Sequence, residues 1–290
     1  MRTAMSKWVL IFSIAVITLC CGQTVSAQRW MEPISPDYED DVQDDRPGEP
    51  DLMWVRGRYT NYLSGGGGFS RRGGGGFGGP RGGWWQTDFP DSDRNFLRGV
   101  RRYTSFDTAV DGYRSVDLTD PELFEYTFLY MNFKRQQGSG NGPNLSLEEA
   151  ASLREFMLRG GFVMIDDFWG TPHWNDFLIE FAKIFPDRDL VELPITHPIF
   201  HSFFDINQFT QVPGRTITWD YNAGFNLDDP NFPPTVHAVF DDDGRIMLIA
   251  NHNTDLGDGW EHTFYEPFPT GYTNEAYKLG INYLIYAFSH

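Results

Sequence analysis

Carboxylate, amide, imidazole and indole side chains gather at three points of the chain, each directly after an apolar run. Asn132 follows Phe128–Met131. Asp166, Asp167, Trp169, Gly170 and His173 follow Phe162–Ile165. Asn251, His252, Asn253, Asp255, Asp258, Trp260, Glu261 and His262 follow Arg245–Ala250. In an open α/β sheet, ligands lie outside the carboxyl ends of the strands. If the three runs are strands of one sheet, they deliver these groups to one edge. Asp166 and Asp167 are then the candidate catalytic residues, since an anion positioned there suits a carboxylate nucleophile or a metal ligand. With His173 and His252 they make the candidate ligand set for a divalent metal, which is the one cofactor that the residue types suggest. Each group also has a structural account. The two acids suit the capping of the next helix, and His173 suits pairing with Asp176.

A second chemistry uses the rings. Trp84-Trp85 precede Asp88, and Trp169, Trp174 and Trp260 stand beside the strand-end acids. Indoles stack on sugar rings while carboxylates accept hydroxyl hydrogen bonds. The predicted polar-ligand or glycan site is therefore Trp85, Asp88, Asn132, Trp169, Asn251, Asp255, Trp260 and Glu261. Aromatic side chains are equally ordinary core material. Two further patterns fall short. His197 and His201 are four apart, but Pro198 lies between them and no Glu follows the first, so the metalloprotease helix signature fails. The run Asp255-Leu-Gly-Asp-Gly lacks the repeating acids and the later Glu of a calcium loop, and its glycines suit a turn.

The elements that must position these residues alternate. A strand is predicted over Leu52–Tyr59, a helix over Ser92–Tyr103 and a strand over Tyr113–Leu118. Next come a buried strand over Phe128–Asn132 and a helix over Leu147–Arg159, opened by the capping box of Ser146 and Glu149. The continuous apolar run Phe162–Ile165 reads as a strand covered on both faces. A helix over Pro172–Phe185 follows, with Thr171 as its cap. Then come a strand over Leu190–Leu193, a hairpin of Val236–Phe240 with Arg245–Ala250 across Asp243-Gly244, and a last helix over Asn274–Phe288. This alternation predicts an α/β domain with a mainly parallel sheet and helices on both faces.

The flanks differ from this core. Arg2 and Lys7, the apolar run Trp8–Leu19 and the small residues of Val25-Ser26-Ala27 read as a signal peptide over 1–27, cleaved after Ala27. An exported protein, periplasmic or secreted, is expected, without a stable membrane span once the signal is removed. An uncleaved anchor or a lipoprotein is the lesser alternative, since Leu19 and Thr18 suit lipid attachment poorly. Residues 28–51 carry nine Asp or Glu and read as a disordered, Pro-rich arm. The domain proper is expected over 52–290, with a Gly/Arg-rich loop at 64–83.

The chain has 23 basic and 40 acidic residues, and removal of the signal leaves 21 basic residues against the same 40. This balance excludes a sequence-independent grip on nucleic acid, which needs neutralised phosphates. The two cysteines, Cys20 and Cys21, both lie in the signal segment. A mature chain therefore has no disulfide, thiolate metal site or thiol nucleophile.

Trp84-Trp85-x-Thr-Asp-Phe-Pro, Phe128-Leu-Tyr-Met, Gly160-Gly-Phe-x-x-Ile-Asp-Asp, His197-Pro-Ile-Phe-His and Asp255-Leu-Gly-Asp-Gly-Trp-Glu stand in this order. The set resembles an uncharacterised bacterial family, the domain of unknown function 4159, from about Leu52 to the C-terminus. The resemblance implies a flavodoxin-like core similar to class I glutamine amidotransferases, without supplying an activity. Where those enzymes carry a Cys after a buried strand, this chain has Ile165-Asp166-Asp167-Phe168-Trp169-Gly170. Thiol-based amide hydrolysis is therefore excluded. The leading expectation is an exported domain binding a polar ligand such as a glycan. The alternatives are a metal-assisted hydrolase working through the strand-end Asp and His residues, and an envelope interaction or structural protein acting through its flanks.

Overall fold

Phe128–Asn132 forms a strand in which all five residues are buried, and its side chains alternate between two different layers. Leu129 and Met131 join a cluster with Phe156, Phe177 and Phe181. The Phe128 and Tyr130 rings instead lie 5.1 and 5.6 Å from the Trp54 ring. A strand sandwiched this way has apolar neighbours on both faces, which explains why its sequence is continuously apolar instead of alternating. The computed structural model describes residues 52–62, 83–134, 142–214 and 231–290. The expected signal segment, the acidic arm and residues 64–82 of the Gly/Arg-rich loop lie outside the described residues.

Among the described residues, seven strands join in one sheet. Five of them, β1 (Leu52–Arg58), β3 (Thr108–Asp117), β4 (Phe128–Asn132), β6 (Phe162–Phe168) and β9 (Ile246–His252), are parallel. β8 (Thr235–Phe240) and β7 (Val191–Glu192) are added antiparallel at one edge. The order across the sheet is β3-β1-β4-β6-β9-β8-β7, and β2 (Asn61–Tyr62) pairs separately with β5 (Gly142–Pro143). The expected α/β domain with a mainly parallel sheet is therefore present. Ranked by chain position, the five parallel strands stand in the order 2-1-3-4-5. The chain thus reverses direction across the sheet between β1 and β4.

On one face, α2 (Leu147–Leu158) packs against α3 (Gly170–Ile184) over the cluster that holds Leu129 and Met131. On the other, α1 (Asp91–Tyr103) and α5 (Thr270–Ser289) flank the short α4 (Leu256–Glu261). That layer is aromatic: the Phe96 ring lies 4.4 Å from both Trp54 and Trp260. Among the described residues, no helix is long and apolar enough to cross a membrane.

Three local expectations need correction. β6 does not end at Ile165 but runs through Asp166 and Asp167 to Phe168. Between Ile165 and Phe168 its pairing with β9 slips, three steps in β6 matching two in β9, and Asp167 adopts φ 58°. This is a bulge of one residue, a feature that redirects side chains at sheet ends. The next helix begins at Gly170 with Trp169 as its cap instead of Thr171, because His173 Nδ1 accepts a hydrogen bond from the Trp169 amide. The run Asp255–Gly259, expected as a turn, opens α4, because the Asp255 carboxylate accepts from the Asp258 amide at 2.8 Å. The capping box of Ser146 and Glu149 at the start of α2 is present as expected.

β1 carries a fully buried cation that the sequence does not advertise. Arg56 donates to both Asp93 oxygens, at 3.2 Å from Nε and 2.5 Å from Nη2, and to Ser92 Oγ at 2.7 Å. It also donates to the carbonyls of Trp85 and Thr87, and its guanidinium lies 4.8 Å from the centre of the Tyr130 ring. Removing one partner of a buried ion pair strands the other charge in a low-dielectric site. Asp93→Asn is expected to lower the free energy of unfolding by about 3–5 kcal/mol. Urea denaturation followed by far-UV circular dichroism measures it, and a loss no larger than that of a surface substitution contradicts it.

Candidate functional site

Three elements bring carboxylates to the carboxyl edge of the sheet. The first is the turn before α1, where Arg56 holds the carbonyls of Trp85 and Thr87. Asp88 follows directly, with φ 63°. The second is the β6 bulge that carries Asp166 and Asp167. The third is α4, with Asp255 at its cap and Asp258 in its first turn. A non-glycine residue at positive φ is uncommon and is retained where the surroundings impose it. Among the described residues, Asp88, Asp167 and Asn253 are the three such residues, and all lie at this edge.

The adjacent acids of β6 have different partners. Asp167 is saturated. Its Oδ1 accepts from Trp169 Nε1 at 3.0 Å, and its Oδ2 accepts from Asn132 Nδ2 at 3.3 Å. The same Oδ2 forms an ion pair with Lys134 Nζ at 3.0 Å. Asp166 Oδ2 accepts from the amides of Leu256 and Gly257 at 2.8 and 3.0 Å, and from the Tyr130 hydroxyl at 3.2 Å. The capping expected of Asp166 therefore exists, but it serves α4, about ninety positions later in the chain, and not the helix that follows β6.

Not every oxygen is served. Asp88 Oδ2, Asp166 Oδ1 and Asp255 Oδ2 are buried and have no hydrogen-bond partner among the described residues. Burial pushes the Asp166 carboxyl up to about 8, reinforced by the charge of Asp167 and opposed by its backbone donors. Burial likewise holds Asp88 and Asp255 well above the usual carboxylate range, and neighbouring Asp258 and Asp167 add to it. Lys134 is raised despite its burial, because Asp167, Asp255, Asp258 and Asp88 all surround it. One ammonium thus answers four carboxylates. The rim is partly open, since Asp88, Lys134 and Glu261 are half-buried as residues.

Two glycines make this crowding feasible. A methyl group on Gly257 would stand 2.8 Å from both Asp88 Oδ2 and the Tyr130 hydroxyl. One on Gly214 would stand 3.1 Å from Asp255 Oδ2. Any side chain at either position would press into the carboxylates.

The other residues singled out in the sequence take different places. Trp260 is fully buried in the aromatic layer against Trp54 and Phe96. Trp85 is buried beneath the guanidinium of Arg58, and Trp169 is buried with its Nε1 on Asp167. Asn251 links the Tyr283 hydroxyl to the carbonyl of Ile165. Glu261 faces His262, 3.5 Å from Nε2. His252 stacks on Phe168 at 5.2 Å and contacts the Gly170 carbonyl through Nε2. Two side-chain groups among the described residues are arranged to hold an ion: Asp88–Asp255–Asp258 and Asp258–Glu261–His262. Asp166, Asp167, His173 and His252 belong to neither group. His197 caps the short turn Pro198–His201, and His201 pairs with Asp205. Lys134, Tyr130 and Gly214 were not legible as site residues; Lys134 lies just past the strand end at Asn132, which is its one sequence signal.

Residues 76–288 match the model of a family described as Domain of unknown function (DUF4159). The chain belongs to that family. The matched stretch starts later than the Leu52 expected from the motifs, so β1 and its Arg56 precede it. All five carboxylates and Lys134 fall inside it. No curated protein matches the chain.

The Asp166 shift has a consequence for stability. A carboxyl whose folded pKa is raised binds its proton more tightly in the folded than in the unfolded chain, so stability falls as pH rises through that window. For Asp166 the window runs from the ordinary value of 3.8 to about 8. Asp166→Asn keeps an acceptor for the two amides and removes the titration. Its melting temperature is expected to gain on the parent between pH 4 and pH 8, with the gap widest at the alkaline end. Melting curves across that range measure it, and a gap that narrows with rising pH contradicts it.

Proposed function

We propose that the domain binds a small, donor-rich polar ligand at the carboxyl ends of β4, β6 and β9, gripping it with carboxylates and not with indole faces. The observation that carries this reading is the set of three buried carboxylate oxygens, on Asp88, Asp166 and Asp255, without partners among the described residues. A buried acceptor left without a donor costs about 1–3 kcal/mol, and more when charged. A ligand presenting hydroxyl or cationic donors recovers that cost. Burial of Trp85, Trp169 and Trp260 weighs against a stacked glycan chain and favours a single polyol or sugar unit. The strand order 2-1-3-4-5 supports a flavodoxin-like core, whose ligands lie at this sheet edge. Likeness to class I glutamine amidotransferases extends no further than that core. Export to the periplasm or beyond would bring the site to such ligands.

A metal-assisted hydrolase is the second reading, and one feature favours it. Asp166 and Asp167 are adjacent carboxylates in opposed environments, one short of partners and the other paired with Lys134. Environments that separate two acids in this way are how one site obtains both a proton donor and an anion. The envelope-interaction reading rests on the arm and the Gly/Arg-rich loop, which lie outside the described residues.

Calorimetry with monosaccharides, linear polyols and amino sugars, run with and without divalent ions, tests the leading reading. At least one compound is expected to bind, and Asp88→Asn with Asp166→Asn, which keeps the acceptor for the α4 amides, is expected to abolish the heat while the fold persists by circular dichroism. A panel silent under both conditions, or binding that the double variant leaves intact, removes this reading. Turnover of a bound compound, lost in Asp167→Asn, moves the assignment to the hydrolase.

A further inference from the structure

We infer that Asp88, Asp255 and Asp258 form a binding site for a hard divalent cation, Ca2+ or Mg2+, held by oxygen alone. The inference rests on the preceding reading of the strand-end cluster and names its occupant. The side chain that points to an ion is Asp255. It is fully buried, and its Oδ1 is committed to the Asp258 amide at 2.8 Å. Its Oδ2 has no partner among the described residues. A methyl group built on Gly214 would lie 3.1 Å from that oxygen and 3.5 Å from Asp258 Oδ2, so both oxygens flank one point in front of the Gly214 backbone.

Asp88 approaches from another direction. Its partnerless Oδ2 lies 2.8 Å from a methyl position on Gly257 that is itself 3.3 Å from Asp255 Oδ1. The three carboxylates each offer an oxygen, and these oxygens lie within 4.8 Å of one another. An ion ligated at about 2.1–2.5 Å holds its ligand oxygens within about 5 Å, so the spacing fits. Lys134 lies close enough to offset part of this charge, but its direct ion pair, at 3.0 Å, is with Asp167, and Asp88 Oδ2 and Asp255 Oδ2 stay without partners among the described residues.

The ligand types set the class of ion. The triad has neither imidazole nor thiolate, and the two cysteines of the chain lie at positions 20 and 21. Carboxylate oxygens select hard cations, whereas imidazole favours zinc and its neighbours. The adjoining Asp258–Glu261–His262 group is the place where a borderline metal would compete. It shares Asp258, whose Oδ1 lies 3.8 Å from His262 Nε2 while Oδ2 faces Asp255 across Gly214.

The test is calorimetric titration of the chelator-treated full chain with Ca2+, Mg2+ and Zn2+, paired with melting curves. One Ca2+ or Mg2+ is expected to bind per chain and to raise the melting temperature. Asp255→Asn is expected to weaken that binding by about tenfold or more, since ligand charge sets affinity in oxygen sites. Its ion-free melting temperature is expected to match or exceed the parent's, which shows that the fold is intact. His262→Gln is expected to leave Ca2+ or Mg2+ binding unchanged. The inference is overturned by absence of Ca2+ and Mg2+ binding, by binding that Asp255→Asn does not weaken, or by a response to Zn2+ alone that His262→Gln removes. Ion binding without any polyol binding supports this site and removes the polyol reading. Polyol binding that persists in chelator, with no ion bound, does the reverse.

Discussion

The guanidinium of Arg56 ties the architecture to the site. A fixed cation with no exposure, in the middle of a strand, needs all its donors answered, and the partners it finds determine where three segments meet. Asp93 and Ser92 lock the start of α1 to β1, while the carbonyls of Trp85 and Thr87 hold the preceding turn over the sheet edge. Trp54 Nε1 adds a donor to Asp93 at 2.8 Å, so the ion pair also anchors the aromatic layer. Asp88 is the residue after the last carbonyl Arg56 holds. Its positive φ and its direction into the acid cluster follow from that tether, more than from any preference of its own.

α4 is the complementary device. It is only six residues long and would be marginal alone, since isolated helices of that length do not persist in water. Two carboxylates hold its start: Asp255 on the Asp258 amide, and Asp166 on the amides of Leu256 and Gly257. At its other end Trp260 is driven into the layer between Trp54 and Phe96. The helix therefore takes stability from the core at one end while presenting acids at the other.

Much of the fold was legible because its signals were local. Phe128–Asn132 and the capping box at Ser146 read directly from apolar runs and cap chemistry, and both stand where expected. In two of the misreadings a partner distant in sequence overrode a local preference. Asp166 and Asp167 looked like the residues after a strand, but the bulge against β9 keeps them inside it. Asp255–Gly259 reads locally as a turn, but besides its own cap at Asp255 a carboxylate from β6 takes up two of its amides. The indoles showed the limit of residue type as evidence. Trp260 beside acids resembled a sugar platform, yet its ring packs in the core, and only pairing of α4 with α1 reveals that. Lys134 follows an unremarkable strand end and gains meaning only because Asp167 turns toward it.

The charges of the cluster support the proposal that it is a site and not scaffolding. A structural role would be met as well by asparagine at positions 166 and 255, since each needs one acceptor for its helix amides. Asparagine would place an uncharged NH2 where Asp166 Oδ1 and Asp255 Oδ2 now stand, and would lower the repulsion among the acids gathered around Lys134. An ionisable acid at both places costs stability, and such a cost supports the proposal that these groups serve a ligand. Asp167 lacks this signature, being fully hydrogen-bonded and ion-paired. The two neighbours in β6 therefore divide the work: Asp167 fixes Lys134 and the edge of the sheet, and Asp166 joins Asp88 and Asp255 in leaving acceptors open.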